Sequence, residues 1–96
     1  MAAEKIVVEN VNHPGKTNRV DAQKYEVARA AMLKVLPKRA PGMTQHEMMI
    51  AMRDSLPETM FPGTTTSWWM KTVQLDLEAK GLVVRDATKP LRWRKK

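Results

Sequence analysis

Ser67-Trp68-Trp69-Met70-Lys71-Thr72-Val73-Gln74-Leu75-Asp76-Leu77-Glu78-Ala79-Lys80-Gly81-Leu82-Val83-Val84-Arg85 is the stretch on which the fold turns. At about 100° per residue, Trp69, Val73 and Leu77 share one face of a helix, with Met70 at its edge. Trp68, Thr72, Leu75 and Ala79 form a second apolar strip, so this helix needs cover on two sides. Ser67, Lys71, Gln74 and Glu78 are left for solvent. Asp76 falls between the strips and needs a hydrogen-bond partner or an exposed edge. Gly81 supplies the left-handed residue that follows a helix, and Leu82 the apolar contact beyond it. The pattern predicts a helix over 67–80 that feeds directly into an extended segment.

Downstream, Leu82-Val83-Val84-Arg85 reads as a strand and Asp86-Ala87-Thr88-Lys89-Pro90 as a turn. Leu91-Arg92-Trp93-Arg94 alternates apolar and basic, which predicts a half-buried return strand with Leu91 and Trp93 inside. The hairpin therefore spans 82–94. Upstream, residues 57–65 form a loop whose Met60 and Phe61 tuck into the core. Thr44-Gln45-His46-Glu47 is a capping box that opens a helix over 45–56, with Met48, Ala51, Met52 and Ser55 in line. Lys38-Arg39-Ala40-Pro41-Gly42 connects it to a helix over 22–36 that is capped by Asp21 and ended by Pro37. Tyr25, Ala28, Met32 and Val35 form that helix's inner face. Residues 5–20 read as an additional N-terminal hairpin around Asn12-His13-Pro14-Gly15. The expectation is one α+β domain over 1–96.

At Leu77-Glu78-Ala79-Lys80-Gly81-Leu82-Val83-Val84-Arg85 the chain resembles bacterial winged helix-turn-helix regulators of the MarR and PadR kind. The likeness is to the end of their recognition helix and their first wing strand. Thr44-Gln45-His46-Glu47-Met48 resembles the start of their second helix, and the likeness covers residues 22–94. The whole chain also looks like a small, uncharacterised bacterial family of about this length, a likeness that brings no function. The resemblance implies three helices and a C-terminal wing, and a DNA-binding protein of the transcriptional-regulator class. Its third helix would enter the major groove by its N-terminal half. Ser67, Lys71 and Gln74 would then face the bases, since Lys reaches guanine and Gln pairs with adenine. Thr64, Thr65 and Thr66 would meet phosphate at the helix N-terminus. Arg85, Lys89, Arg92 and Arg94 would bind backbone or minor groove from the wing.

Charge is consistent with that implication. The net charge is +7, and the excess is concentrated in two places. Residues 22–43 hold five bases against Glu26, and residues 82–96 hold six against Asp86. Such a balance favours polyanion partners. A bland alternative makes the basic strand a solvated face and the apolar surface a protein-interaction or homodimerisation site. RNA is a third candidate partner. Chemistry finds little support. The chain has no cysteine, His13 and His46 lack paired ligand spacing, and Ser55 and Ser67 sit in no nucleophile elbow. We therefore expect no enzyme, no metal and no cofactor. The opening Met1-Ala2-Ala3-Glu4-Lys5-Ile6 carries no apolar leader, and no run approaches the ~20 apolar residues of a membrane span, so the cytoplasm is the expected compartment.

Overall fold

In the computed structural model, which describes residues 4–96, Asp21 sets where the first helix begins: its carboxylate accepts the Lys24 N–H at 2.9 Å. Residues 1–3 lie outside the described residues. Helix α1 (Ala22–Val35) closes with the Leu36 N–H on the Met32 carbonyl, and Pro37 follows. Before it, β1 (Lys5–Glu9) and β2 (Thr17–Asp21) pair antiparallel, with Ile6 opposite Val20. Alternation puts Ile6, Val8 and Val20 on one face, and Val8 and Val20 are buried.

The capping box forms in full. Thr44 Oγ1 accepts the Glu47 N–H at 3.2 Å, and Glu47 Oε1 accepts the Thr44 N–H at 2.8 Å. A short strand, β3 (Met43–Thr44), precedes it, and helix α2 (Gln45–Ser55) follows. Helix α3 (Thr65–Ala79) starts two residues ahead of 67. The Pro62 carbonyl accepts both the Thr65 N–H and its hydroxyl, which winds the chain into a first turn there. Met32, Met48, Met52 and Met70 lie in the core with Leu36, Phe61, Val73 and Leu77. Helix α3 packs on α1, α2, β1 and the next strand, β4 (Val83–Asp86). Each large side chain buried there contributes about 1.5–3 kcal/mol.

Gly81, at φ +76°, ends α3 in a Schellman turn: the Leu82 N–H bonds the Leu77 carbonyl at 2.9 Å, and the Gly81 N–H bonds that of Glu78. Leu82 itself stays 40% exposed, and Val83 takes the buried place assigned to it. The last strand, β5 (Arg92–Lys95), returns antiparallel to β4. Trp93 is buried. Leu91, expected inside, is exposed, because the ladder begins only at Arg92 and leaves Leu91 in the turn. Strand β3 was not expected. It pairs with β5, Met43 opposite Trp93 and Thr44 opposite Arg92, giving the order β3-β5-β4. Gly42 makes this approach possible. Its φ is +73°, and a Cβ there would sit 2.5 Å from the Trp93 carbonyl oxygen. The described residues are thus α+β, with three helices, a two-stranded sheet and a three-stranded sheet, both antiparallel.

Asp76 has no exposed edge and three kinds of partner. It is fully buried; it accepts the Glu9 backbone N–H at 2.8 Å and Lys80 Nζ at 2.7 and 2.8 Å, and also the Tyr25 hydroxyl. One carboxylate therefore joins β1, α1 and α3. Burial, and then the hydrogen bond to this carboxylate, push the Tyr25 phenol well above its ordinary pKa. Among the described residues no helix is long and apolar enough to cross a membrane.

Candidate nucleic-acid interface

The free surface of α3 is decided by what covers it. Phe61 from the preceding loop meets Trp69 edge-on, ring centres 6.0 Å apart, and both are buried. Trp68 stands edge-on to Trp69 at 5.0 Å but remains 50% exposed. Farther along, Thr72 and Leu75 line a cleft of about 240 Å³ with Val8, Asn10, His13 and Lys16 of the N-terminal hairpin. The hairpin thus occupies the later half of α3 and leaves the earlier half open.

That open half borders α2. Ser67, Met70 and Lys71 face Gln45, His46 and Met49 across a groove of about 360 Å³, and the Ser67 hydroxyl lies 3.6 Å from Met49 Sδ. A second groove, about 440 Å³, runs from Gln45 and His46 to Pro90, Leu91 and Trp93. Gln45 and His46 belong to both, so one surface runs from α3 over the first turn of α2 to the β4–β5 turn. Lys71 and Lys89 are exposed along it, and neither has an ion-pair partner among the described residues. No acidic residue lines either groove.

The arginines of the C-terminal hairpin behave differently. Arg85 makes two hydrogen bonds to the Glu78 carboxylate, both 2.9 Å, and lies over the Trp93 ring at 5.5 Å. The bond to Glu78 raises the Arg85 pKa. Arg92 donates to the Gly42 carbonyl at 3.1 Å and to Glu47 at 3.3 Å. The Thr44 N–H is the main cause that holds Glu47 below the usual carboxylate range, and the Arg92 charge adds to it. Arg94 pairs with Asp86 at 3.0 Å.

The match to a family of unknown function, DUF6958, extends over residues 5–93. The chain belongs to this family. No curated protein and no solved structure matches it. The DUF6958 span takes in every element from β1 to β4 and stops within β5.

Within this DUF6958 fold the expected contact residues divide. Ser67 and Lys71 share the α2–α3 groove, and Lys89 stands in the β4–β5 turn. Thr64 and Thr65 are exposed, but the Thr65 hydroxyl is held by the Pro62 carbonyl. Two expectations are corrected. Gln74 is only 2% exposed, its Oε1 buried without a hydrogen bond, because α1 and α2 flank α3 and widen its inner face beyond the apolar stripe. Thr66 is buried with its hydroxyl 3.3 Å from the Phe61 carbonyl, where it braces the loop. The Glu78 side chain, also assigned to solvent, is 4% exposed and binds Arg85 and Trp93 Nε1. Arg85, Arg92 and Arg94 reach the surface with their charges already offset. Gln45 and His46 were missed. The capping box signalled that they open a helix, but only the β3–β5 pairing brings that turn beside the C-terminal hairpin.

Proposed function

We propose that this chain is a winged helix-turn-helix domain that binds duplex DNA. The face is the early half of α3, the first turn of α2 and the wing turn. One observation carries the reading: two adjoining grooves, free of acidic lining, run from Lys71 past His46 to the turn that bears Lys89. The strand order supports it. A hairpin entered directly from α3, its returning strand tied to the segment before α2, holds its turn rigidly beside the helix. Ser67 and Lys71 lie where α3 would approach the bases, and Lys71 and Lys89 carry the charge that would meet phosphate.

Two lysines imply a shallow salt response. At a slope of about −0.9 per phosphate, a fourfold rise in salt weakens binding roughly twelvefold if only Lys71 and Lys89 make backbone contacts. Fluorescence anisotropy with a labelled generic duplex tests the proposal. Lys71→Glu with Lys89→Glu should weaken binding strongly at low salt; no binding by the unaltered protein at low salt would sink it. The half-exposed Trp68 favours a second reading, a protein or self-association surface. Association through Trp68 persists or tightens as salt rises and is lost in Trp68→Ala, whereas phosphate binding collapses.

A further inference from the structure

The unpaired positive charge is concentrated away from the grooves. The connector between α1 and β3 is stitched to β5 at two points. The Lys95 N–H bonds the Pro37 carbonyl at 2.8 Å, and Gly42 packs against the Trp93 backbone and the Arg94 Cβ. Between these anchors Lys38 and Arg39 are exposed, and Lys34 is exposed in the last turn of α1. Lys95 and Lys96 come from the other side of the seam, where the Lys96 N–H is fixed to the Leu82 carbonyl at 3.1 Å. Residues 34–42 and 93–96 contain no acid, and the nearby Asp86 is taken by Arg94. None of the five bases Lys34, Lys38, Arg39, Lys95 and Lys96 has an ion-pair partner among the described residues. The seam lies at the base of the hairpin, where Val83 opposes Lys95, and the wing turn lies at its other end. At about 3.3 Å per residue, β5 separates the two by roughly 10 Å.

From this arrangement we infer a second polyanion surface, in which Lys34, Lys38, Arg39, Lys95 and Lys96 grip the phosphate backbone of a DNA duplex. The choice of DNA rests on the function proposed above; the location of the patch does not. Backbone hydrogen bonds fix both strands of the seam, so the charges are held together before any ligand arrives and little chain ordering opposes binding. Like charges gathered without acids repel one another until phosphate relieves them. The seam therefore supplies most of the affinity, and the grooves supply orientation.

The salt dependence of binding to a labelled generic duplex tests this. With Lys71 and Lys89 alone the slope of log K on log salt is about −1.8; adding the five seam contacts steepens it to about −6.3. Lys38→Gln with Arg39→Gln, and separately Lys95→Gln with Lys96→Gln, should each flatten the slope by about 1.8 and weaken binding roughly 60-fold at 0.1 M salt. Lys38, Arg39 and Lys96 are exposed and Lys95 half-buried outside the core, so charge-to-amide changes leave the core intact, which unchanged thermal melts would verify. A slope near −1.8 in the unaltered protein, or seam variants that bind as it does, overturns the inference and leaves the groove reading standing. Seam variants that lose binding while Lys71→Gln with Lys89→Gln retains it support the seam and remove the groove. Absence of any duplex binding overturns both.

Discussion

Replacing Asp76 with alanine removes the acceptor for a strand, a helix and a lysine at once. Lys80 keeps access to water at 35% side-chain exposure, so its share is small. The Tyr25 hydroxyl and the Glu9 N–H do not have that escape to the same degree. Hydrogen bonds to a charged group are worth about 1.5–3 kcal/mol each, and breaking a buried charged cluster typically costs about 3–5 kcal/mol. We expect Asp76→Ala to lose about 3–5 kcal/mol, a large share of the 5–15 kcal/mol, roughly, that holds a domain together. At about 4–8 °C per kcal/mol for a domain of this size, the Tm should fall by at least about 12 °C. The assay is thermal and urea unfolding followed by circular dichroism, run as a cycle with Tyr25→Phe. Tyr25→Phe should cost about 1.5–3 kcal/mol in the parent and distinctly less beside Asp76→Ala. If Asp76→Ala does not fold, Asp76→Asn gives the same comparison with one acceptor retained. A melt within about 4 °C of the parent, or equal costs for Tyr25→Phe in both backgrounds, would refute the account of Asp76 as the joint.

Three further outcomes follow from the same geometry. Gly42→Ala must accept both a positive φ and a collision with the Trp93 carbonyl, so it should lose well over ~1 kcal/mol in urea unfolding, whereas Gly63→Ala, with open space around it, should lose no more than its backbone strain. Glu47 has a folded pKa below its unfolded one, so its capping adds stability above the unfolded value and loses it as pH falls through the folded value. The stability gap between the parent and Glu47→Gln should therefore close on acidification; a gap constant with pH would contradict this. Tyr25 has the opposite sign: its raised pKa adds stability that is complete below pH 10 and fades as pH climbs toward the folded value. It is the only tyrosine, so tyrosinate absorbance should rise together with alkaline unfolding rather than before it.

Local signals in the sequence carried most of the helices. Asp21, the Thr44–Glu47 box and Gly81 mark ends through chemistry among near neighbours, and the Trp69–Val73–Leu77 stripe marks an inner face by period alone. Contacts between distant residues were not legible. Strand β3 is two residues long and exists because Trp93 lies beside it, a pairing across fifty positions of chain. Gln74 and Glu78 read as solvent residues by type, yet each is covered by elements its own helix does not specify. The arginines of the C-terminal hairpin read as free charge, but Glu47, Glu78 and Asp86 meet them only once the sheet has formed.

The N-terminal hairpin has a consequence for how much sequence such a domain could distinguish. It sits against α3 from about Thr72 onward, so if α3 reads DNA as proposed above, the stretch left to approach a base edge runs from Thr65 to Lys71. At about 1.5 Å of rise per residue this is roughly 10 Å, the height of about three stacked base pairs. One copy would recognise a word of three letters, too short to single out an address in a genome. Any selectivity beyond that would have to come from copies set side by side along the duplex, or from how readily the DNA deforms beneath them.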